Sequence, residues 1–538
     1  MIPTVENVPK TSQEQIKSLI NLFNAGQLTE VVQACRQLLK TSPHSLAVIN
    51  ILGAALRGLG KLEEAVRAYD KVIQLKPDIA ETHSNRGVAL NDLGKFEEAL
   101  ESYEKAIRFK PDFAEAYANR GNTLKNLGRV DEALESCDAA IKLKPDFPET
   151  YIIRGAILKE LGQLSDALAE FDKAIQLNPD SAEAYSNHGA ALQILGHLNE
   201  ALASYEQALI IDPNSITALN NSASALKKLG QIDKSLKRYK RAISISPYEN
   251  IANYELATIF LKRKKFEPAI HHYRQSKHKD WEENILLCLY KLERYRDFKS
   301  LLHRIINKGK VSPLLATLSQ HYSQNFEVKN PCNFCDSPLD YVLHKQVPEL
   351  IESKGQLTKD LLYDIKNAKI ATRTQGLLSS GIQSSGNLLN RPEKSFKKLS
   401  VIIKKRIQEY YLSHKDIDNG FIKYFPEHIE FLNSWYIKIQ SGGYLRSHIH
   451  EHSWISGAVY LVIPESATNS KKGAIELSTH GDDYPKLHNR FTTEIISLRT
   501  GDIVFFPSSV FHRTTPFVSN EERICIAFDI KTDLSSRA

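Results

Sequence analysis

Apolar positions along this chain follow two different periods. Over its first half they recur at helical spacing, as in Lys95-Phe96-Glu97-Glu98-Ala99-Leu100-Glu101-Ser102-Tyr103, which predicts amphipathic helices. From Ile429 onward the pattern shortens into apolar, β-branched runs separated by turns. Examples are Trp435-Tyr436-Ile437-Lys438-Ile439, Gly457-Ala458-Val459-Tyr460-Leu461-Val462, Ala474-Ile475-Glu476-Leu477, Thr493-Glu494-Ile495-Ile496-Ser497-Leu498, Asp502-Ile503-Val504-Phe505-Phe506 and Ile524-Cys525-Ile526-Ala527-Phe528. Such runs predict an antiparallel sandwich or jelly roll. Between the two regions, 281–324 reads as further helix, 330–338 as a turn-rich boundary and 393–413 as one amphipathic helix. Gln375-Gly376 and the stretch Gly381 to Asn387 read as surface loop, at most the rim of a site.

The helical half repeats itself. Proline stands at 43, 77, 111, 145, 179, 213 and 247, a constant step of 34. Glycine keeps the same step at 26, 60, 94, 128, 162, 196 and 230, and again at 53, 87, 121, 155 and 189 before lapsing to Ala223. Ala65, Ala99, Ala133, Ala167 and Ala201 are in phase as well. The pattern describes a helix pair per unit. Gly87 permits close approach of a neighbouring helix, Gly94 reverses the chain, and Pro111 ends the second helix. No unit can bury its apolar face alone, so the units must stack.

These residues resemble the tetratricopeptide repeat, with clean copies starting at 45, 79, 113, 147, 181 and 215 and weaker ones near 11 and 249. The resemblance implies an all-α solenoid whose first helices line a concave face. Asn85, Asn119, Asn187 and Asn221 share one position of those helices, with Ile51 and Ile153 interrupting the row. A side-chain amide can pair with peptide backbone whatever its sequence. Similar rows in the tetratricopeptide domain of O-GlcNAc transferases hold extended polypeptide, so a peptide or protein partner in the groove is one expectation. The other is that these asparagines merely follow the repeat consensus and bond to their neighbours.

Composition changes the picture little. The 538 residues carry 70 basic and 63 acidic side chains and no concentrated basic patch, so nucleic acid is not an expected partner. No apolar run is long enough to span a bilayer, and Met1 to Lys17 is polar with no secretory core, which makes the cytoplasm the expected compartment. The cysteines at 35, 137, 288, 332, 335 and 525 are scattered, and Cys332-x-x-Cys335 lacks the second pair a zinc site requires. Free structural thiols are expected there. Oligomeric state is not legible.

The chemistry lies in the strand-rich part. His448 and His450 are two residues apart, so on a strand they face one way and Glu451 the other. His512 follows Phe505-Phe506-Pro507 at the end of a strand, and a hairpin would return Arg523 beside it. Three imidazoles suit a transition metal, and a rigid guanidinium suits a carboxylate. His452, His480 and His488 read as ordinary surface or core residues.

The order Tyr444, His448-x-His450, Ser456-Gly457, Tyr460, Gly473, Glu476, Gly501-Asp502, Phe505-Phe506-Pro507, His512, Arg523 resembles the 2-oxoglutarate/Fe(II) dioxygenases of the double-stranded β-helix fold. Within them it is nearest the prolyl-hydroxylase-like branch and tetratricopeptide proteins that end in such a domain. The resemblance implies Fe(II) held by His448 and His512, 2-oxoglutarate held by Arg523, and a co-substrate hydrogen bond from Tyr444. It also implies oxidative decarboxylation of 2-oxoglutarate coupled to hydroxylation of a substrate. Where that family has His-x-Asp or His-x-Glu, this chain has His450. Either His450 completes a three-histidine site or only two histidines bind. The chain is thus expected to be a multidomain α and β protein. An all-α tetratricopeptide solenoid occupies 11–281, a helical continuation and linker 282–329, and a jelly-roll dioxygenase domain with flanking helices 330–538. A non-catalytic repeat scaffold with a degenerate or structural-metal barrel is the alternative.

Overall fold

The computed structural model describes residues 13–531, apart from 369, 374, 375 and 469; Gln375 of the expected loop lies outside the described residues, as does the very start of the first weak repeat. The chain folds as two compact units, Met1–Ala252 and Asn253–Ala538.

The first unit is a succession of antiparallel helix pairs beginning at α1 (Gln13–Asn24) and α2 (Leu28–Thr41). The repeat glycines act as their spacing requires. In α5 (Ala80–Asp92), a Cβ on Gly87 would sit 2.7 Å from the ring of Tyr103 in α6 (Phe96–Phe109). The same close approach recurs between Gly53 and Tyr69, Gly155 and Phe171, and Gly189 and Tyr205. Gly94 reverses the chain at φ +75°, where a side chain would be strained. Ala99 and Tyr103 are buried between neighbouring helices. The pair stays tight because one partner has no side chain and the other fills the space.

In the second unit, helices including α17 (Trp281–Lys291), α19 (Pro313–Phe326) and α21 (Lys394–His414) cover one face of a seven-stranded antiparallel sheet. Its order is β1-β8-β5-β10-β4-β3-β2, formed by β1 (Leu343–Gln346), β2 (Thr372–Arg373), β3 (Leu378–Ser384), β4 (Phe431–Leu445), β5 (Ile455–Val462), β8 (Asp502–Pro507) and β10 (Arg523–Ile530). A three-stranded sheet, β7-β6-β9, made of β6 (Ile475–Ser478), β7 (Thr493–Ile496) and β9 (Phe511–Thr514), packs on the other face.

The large sheet is therefore buried on both sides, and its side chains sort by parity. Ile503, Phe505, Ile526 and Phe528 join the core under the helices, whereas Val504, Phe506, Cys525 and Ala527 join the core between the sheets. Gly457 is obligatory in this packing, because a Cβ there would lie 2.6 Å from both Phe505 and Phe528.

Several strand expectations shift. Gly381 to Ser384, read as loop, belongs to β3 and pairs with β4 across a register shift. Its glycine and serines carry no apolar alternation, so only pairing with β4 makes it a strand. His512 does not end the Phe505-Phe506 strand; it sits in β9, in the other sheet. No hairpin joins it to Arg523, since β10 pairs with β4 and β5 instead. No described helix is long and apolar enough to cross a membrane. Cys332 and Cys335 are buried free thiols, and burial pushes the Cys332 thiol up to about 11.

Replacing Gly87 by Val drives two methyl groups into the Tyr103 ring. The expected loss is about 1–3 kcal/mol, read as an earlier urea transition of the helical circular dichroism signal.

Candidate metal centre

The histidine cluster is assembled by a single point of contact between two backbone segments. His448 lies just beyond the end of β4 and His512 lies in β9; they form an isolated antiparallel bridge. The His448 amide donates to the His512 carbonyl at 3.2 Å, and the His512 amide to the His448 carbonyl at 3.0 Å. Residues directly opposite in such a bridge project to the same face. Their rings are accordingly 4.2 Å apart between centroids, and His450 sits 5.0 Å from each. The three histidines each offer a ligand atom, all within 4.8 Å of one another. The His-x-His pair is not within a strand, as the two-residue spacing suggested, but leads into a turn. Glu451 occupies that turn and is no part of the cluster.

Hydrogen bonds hold each ring by the same nitrogen. Nδ1–H of His448 donates to the carbonyl of Arg446 at 2.8 Å, and that of His512 to Val510 at 3.4 Å. Nδ1–H of His450 donates to Oδ1 of Asp529 at 2.5 Å. Fixing Nδ1–H leaves Nε2 of every ring as the lone pair available to a metal. Burial holds His448 down to about 4, helped by the charge of His450 and opposed by the Arg446 carbonyl. Burial likewise holds His512 well below its ordinary value, with His448 and His450 adding to it. Burial also works against charge on His450, but the charge and hydrogen bond of Asp529 outweigh it and raise that imidazole.

Asp529 escaped the sequence reading. It is 5% exposed, and its Oδ1 also accepts from Ser456 at 2.7 Å and Ser453 at 3.2 Å. The signal was present: a lone carboxylate in an otherwise apolar strand, six residues from Arg523 and hence on the same face. Cys525 and Ala527 lie between them and line the same pocket.

Arg523 is 2% exposed and packs 5.1 Å from the centroid of the Tyr460 ring. Its Nε has no hydrogen-bond partner, and among the described residues it forms no ion pair. A buried guanidinium without a carboxylate is costly unless an anion joins it. It lines the pocket that also holds the three histidines, with about 550 Å³ of atom-free space partly open to solvent. Three nitrogen donors and an unmatched cation in one pocket fit a transition metal together with a small dicarboxylate.

Tyr444 is placed elsewhere. It is half-exposed at the end of β4 and lines an adjoining cleft with Arg446, Ser447 and Asp482; Arg513 and Thr514 separate that cleft from the histidine pocket and border both. In the first unit Asn85 is exposed, whereas Asn119, Asn187 and Asn221 are half-buried. Asn187 accepts a hydrogen bond at 3.2 Å from Lys159 of the preceding repeat. The side-chain amides of Asn85, Asn119 and Asn221 have no partner among the described residues.

Residues 433–529 match the family model described as "Putative 2OG-Fe(II) oxygenase". Tetratricopeptide models match 53–91, 89–128, 114–147, 155–196, 182–215 and 216–249. Tetratricopeptide repeats here precede a 2OG-Fe(II) oxygenase-family domain. The oxygenase-family match begins in β4 and ends on Asp529, so it spans the whole candidate centre. No curated protein matches the chain. Similar solved structures include the APC/C hetero-tetramer Cut9–Hcn1, at 18% identity and TM-score 0.43 over 53% of this chain. The chain spans 57% of the length of that one. YrrB, a TPR protein with an unusual peptide-binding site, is 25% identical over 37% of this chain and 99% of its own, at TM-score 0.28. MamA is 26% identical over 30% of this chain and 94% of its own, at TM-score 0.27.

If Asp529 orients His450 for a metal, Asp529→Ala weakens Fe(II) binding by about 10–100-fold. Anaerobic calorimetric titration against wild type measures this, and an unchanged affinity removes His450 from the ligand set.

Proposed function

We propose that this chain is an Fe(II)- and 2-oxoglutarate-dependent dioxygenase that hydroxylates a peptide or protein side chain held by its repeats. The observation that carries the reading is the convergence of His448, His450 and His512 on one pocket that also contains the buried, unpaired Arg523. The two antiparallel sheets are, on this reading, the double-stranded β-helix of that class.

The three imidazoles would hold Fe(II) through Nε2, with Asp529 and two backbone carbonyls fixing their orientation. Arg523 would hold the distal carboxylate of 2-oxoglutarate, with Tyr460 beneath its guanidinium. When bound, the iron would supply dioxygen activation with 2-oxoglutarate as the two-electron co-reductant, so that one oxygen atom ends in succinate as carbon dioxide leaves and the other in the substrate hydroxyl. The chain itself orients both groups and limits water: Trp435, Ile437, Phe506 and Ala527 form the apolar wall around them. Asn85, Asn119 and Asn221, whose amides are unengaged, are the candidates for gripping substrate backbone. A second reading, a repeat scaffold whose barrel binds a metal without redox chemistry, draws on His450 standing where the family carries a carboxylate.

Anaerobic addition of Fe(II) and 2-oxoglutarate should give a weak charge-transfer absorption band, and admission of oxygen should release succinate. His512→Ala is expected to abolish iron binding. Arg523→Ala is expected to leave iron bound but weaken 2-oxoglutarate by roughly tenfold or more. Metal binding with neither band nor succinate favours the scaffold; unaltered iron affinity in His512→Ala overturns the ligand assignment.

A further inference from the structure

The second helices of the repeats carry acid at fixed outward positions. Glu64, Glu98, Glu132, Asp166 and Glu200 occupy one such position in five successive repeats, and Asp70, Glu104, Asp138, Asp172 and Glu206 another. Some of these acids serve the stack: Asp70 pairs with Arg86 at 2.6 Å and Asp138 with Arg154 at 3.0 Å. In α14 (Ile232–Ile245) the two positions become Lys234 and Lys240. Nothing in the packing demands this inversion, since Leu236, Tyr239 and Ala242 face the core and Lys234, Lys237, Lys240 and Arg241 are exposed.

Lys234, Lys237, Arg238 and Arg241 fall at i, i+3, i+4 and i+7, which puts them on a single helical stripe. Like charges at that spacing destabilise a helix by themselves. In sequence these cations form the basic run Lys234-Ser235-Leu236-Lys237-Arg238-Tyr239-Lys240-Arg241, and the helix turn gathers four of them on one stripe while Leu236 and Tyr239 turn inward. The stripe rims an open concavity of about 420 Å³ against α12 (Leu198–Ile211) and α13 (Ile216–Lys228), whose floor includes Leu202, Leu219 and Leu226. Glu206 on the wall is already neutralised by Arg238, at 2.5 and 2.6 Å. Lys234 and Lys237 have no partner among the described residues.

We propose that this pocket docks an acidic segment of a partner protein that inserts an apolar side chain between its carboxylates. The cations choose the sign of the partner, and the leucine floor chooses its class. Nucleic acid would want aromatic platforms, and the lining offers none. A bilayer surface cannot reach the floor of a concavity. This site lies in the first unit and does not depend on the metal centre.

The test uses the full chain and a short fluorescein-labelled peptide of alternating acidic pairs and single leucines, followed by anisotropy. Wild type should bind, with affinity falling as salt rises. Lys234→Glu with Lys237→Glu should weaken binding at least about tenfold, and a serine-for-leucine peptide should bind less well than the parent. Earlier repeats carry Glu98 and Glu132, then Glu101 and Glu135, at these positions, so the doubly substituted helix is expected to fold; retained circular dichroism checks this. Lys237→Gln alone should shift affinity in the same direction by less. The proposal falls if wild type ignores the peptide or if the charge-reversed protein binds it equally. It falls too if single-stranded DNA or phosphatidylserine vesicles outcompete the peptide, or if sedimentation shows that the patch pairs two copies of this chain.

Discussion

Two backbone hydrogen bonds, between His448 and His512, are the contact on which the candidate centre depends. They tie the segment after β4, in the large sheet, to β9, in the small one. Because the two residues are directly opposed, their rings must emerge on one side, and His450 needs only a short continuation of the chain to join them. A shift of one residue at this bridge would turn one imidazole out of the pocket. The three-histidine geometry is thus a consequence of how the sheets meet, more than of any one segment.

The parity of β10 supplies the rest. The sheet is buried on both faces, so each residue of that strand is committed either to the helices or to the pocket. Ile524 aside, the even positions fill the helical core, whereas Arg523, Cys525 and Ala527 line the pocket and Asp529 reaches His450 at its edge. One strand therefore delivers the unpaired cation at one end and the carboxylate that orients His450 at the other. Burial makes both consequential: it leaves Arg523 short of an anion and gives Asp529 a strong hold on the imidazole.

The repeat unit works on a different economy of space. Its glycine–aromatic contacts fix the interior so firmly that outward positions are free to vary, and the charge along the second helices does vary. Acid at Glu98, Glu132 and Glu200 gives way to Lys234 while Leu236, Tyr239 and Ala242 keep the packing positions of Leu100, Tyr103 and Ala106, although the adjoining Ala99 position becomes the buried Ser235. A scaffold of this kind can change what it attracts from one repeat to the next without changing how it folds.

Much of this was legible in one dimension. The 34-residue step fixed the helix pairs and the roles of Gly87 and Gly94, because those constraints act between residues close in sequence. The residue types His448, His450, His512 and Arg523 were legible too, as rare polar groups among apolar segments. Sequence order could not say that β3 is a strand, that His512 belongs to the second sheet, that Tyr444 faces an adjoining cleft, or that Asp529 backs His450. Each of these rests on contacts between residues tens of positions apart, chosen by how two sheets and a helical layer share one interior. Local periodicity names the elements; only their packing decides which side chains meet.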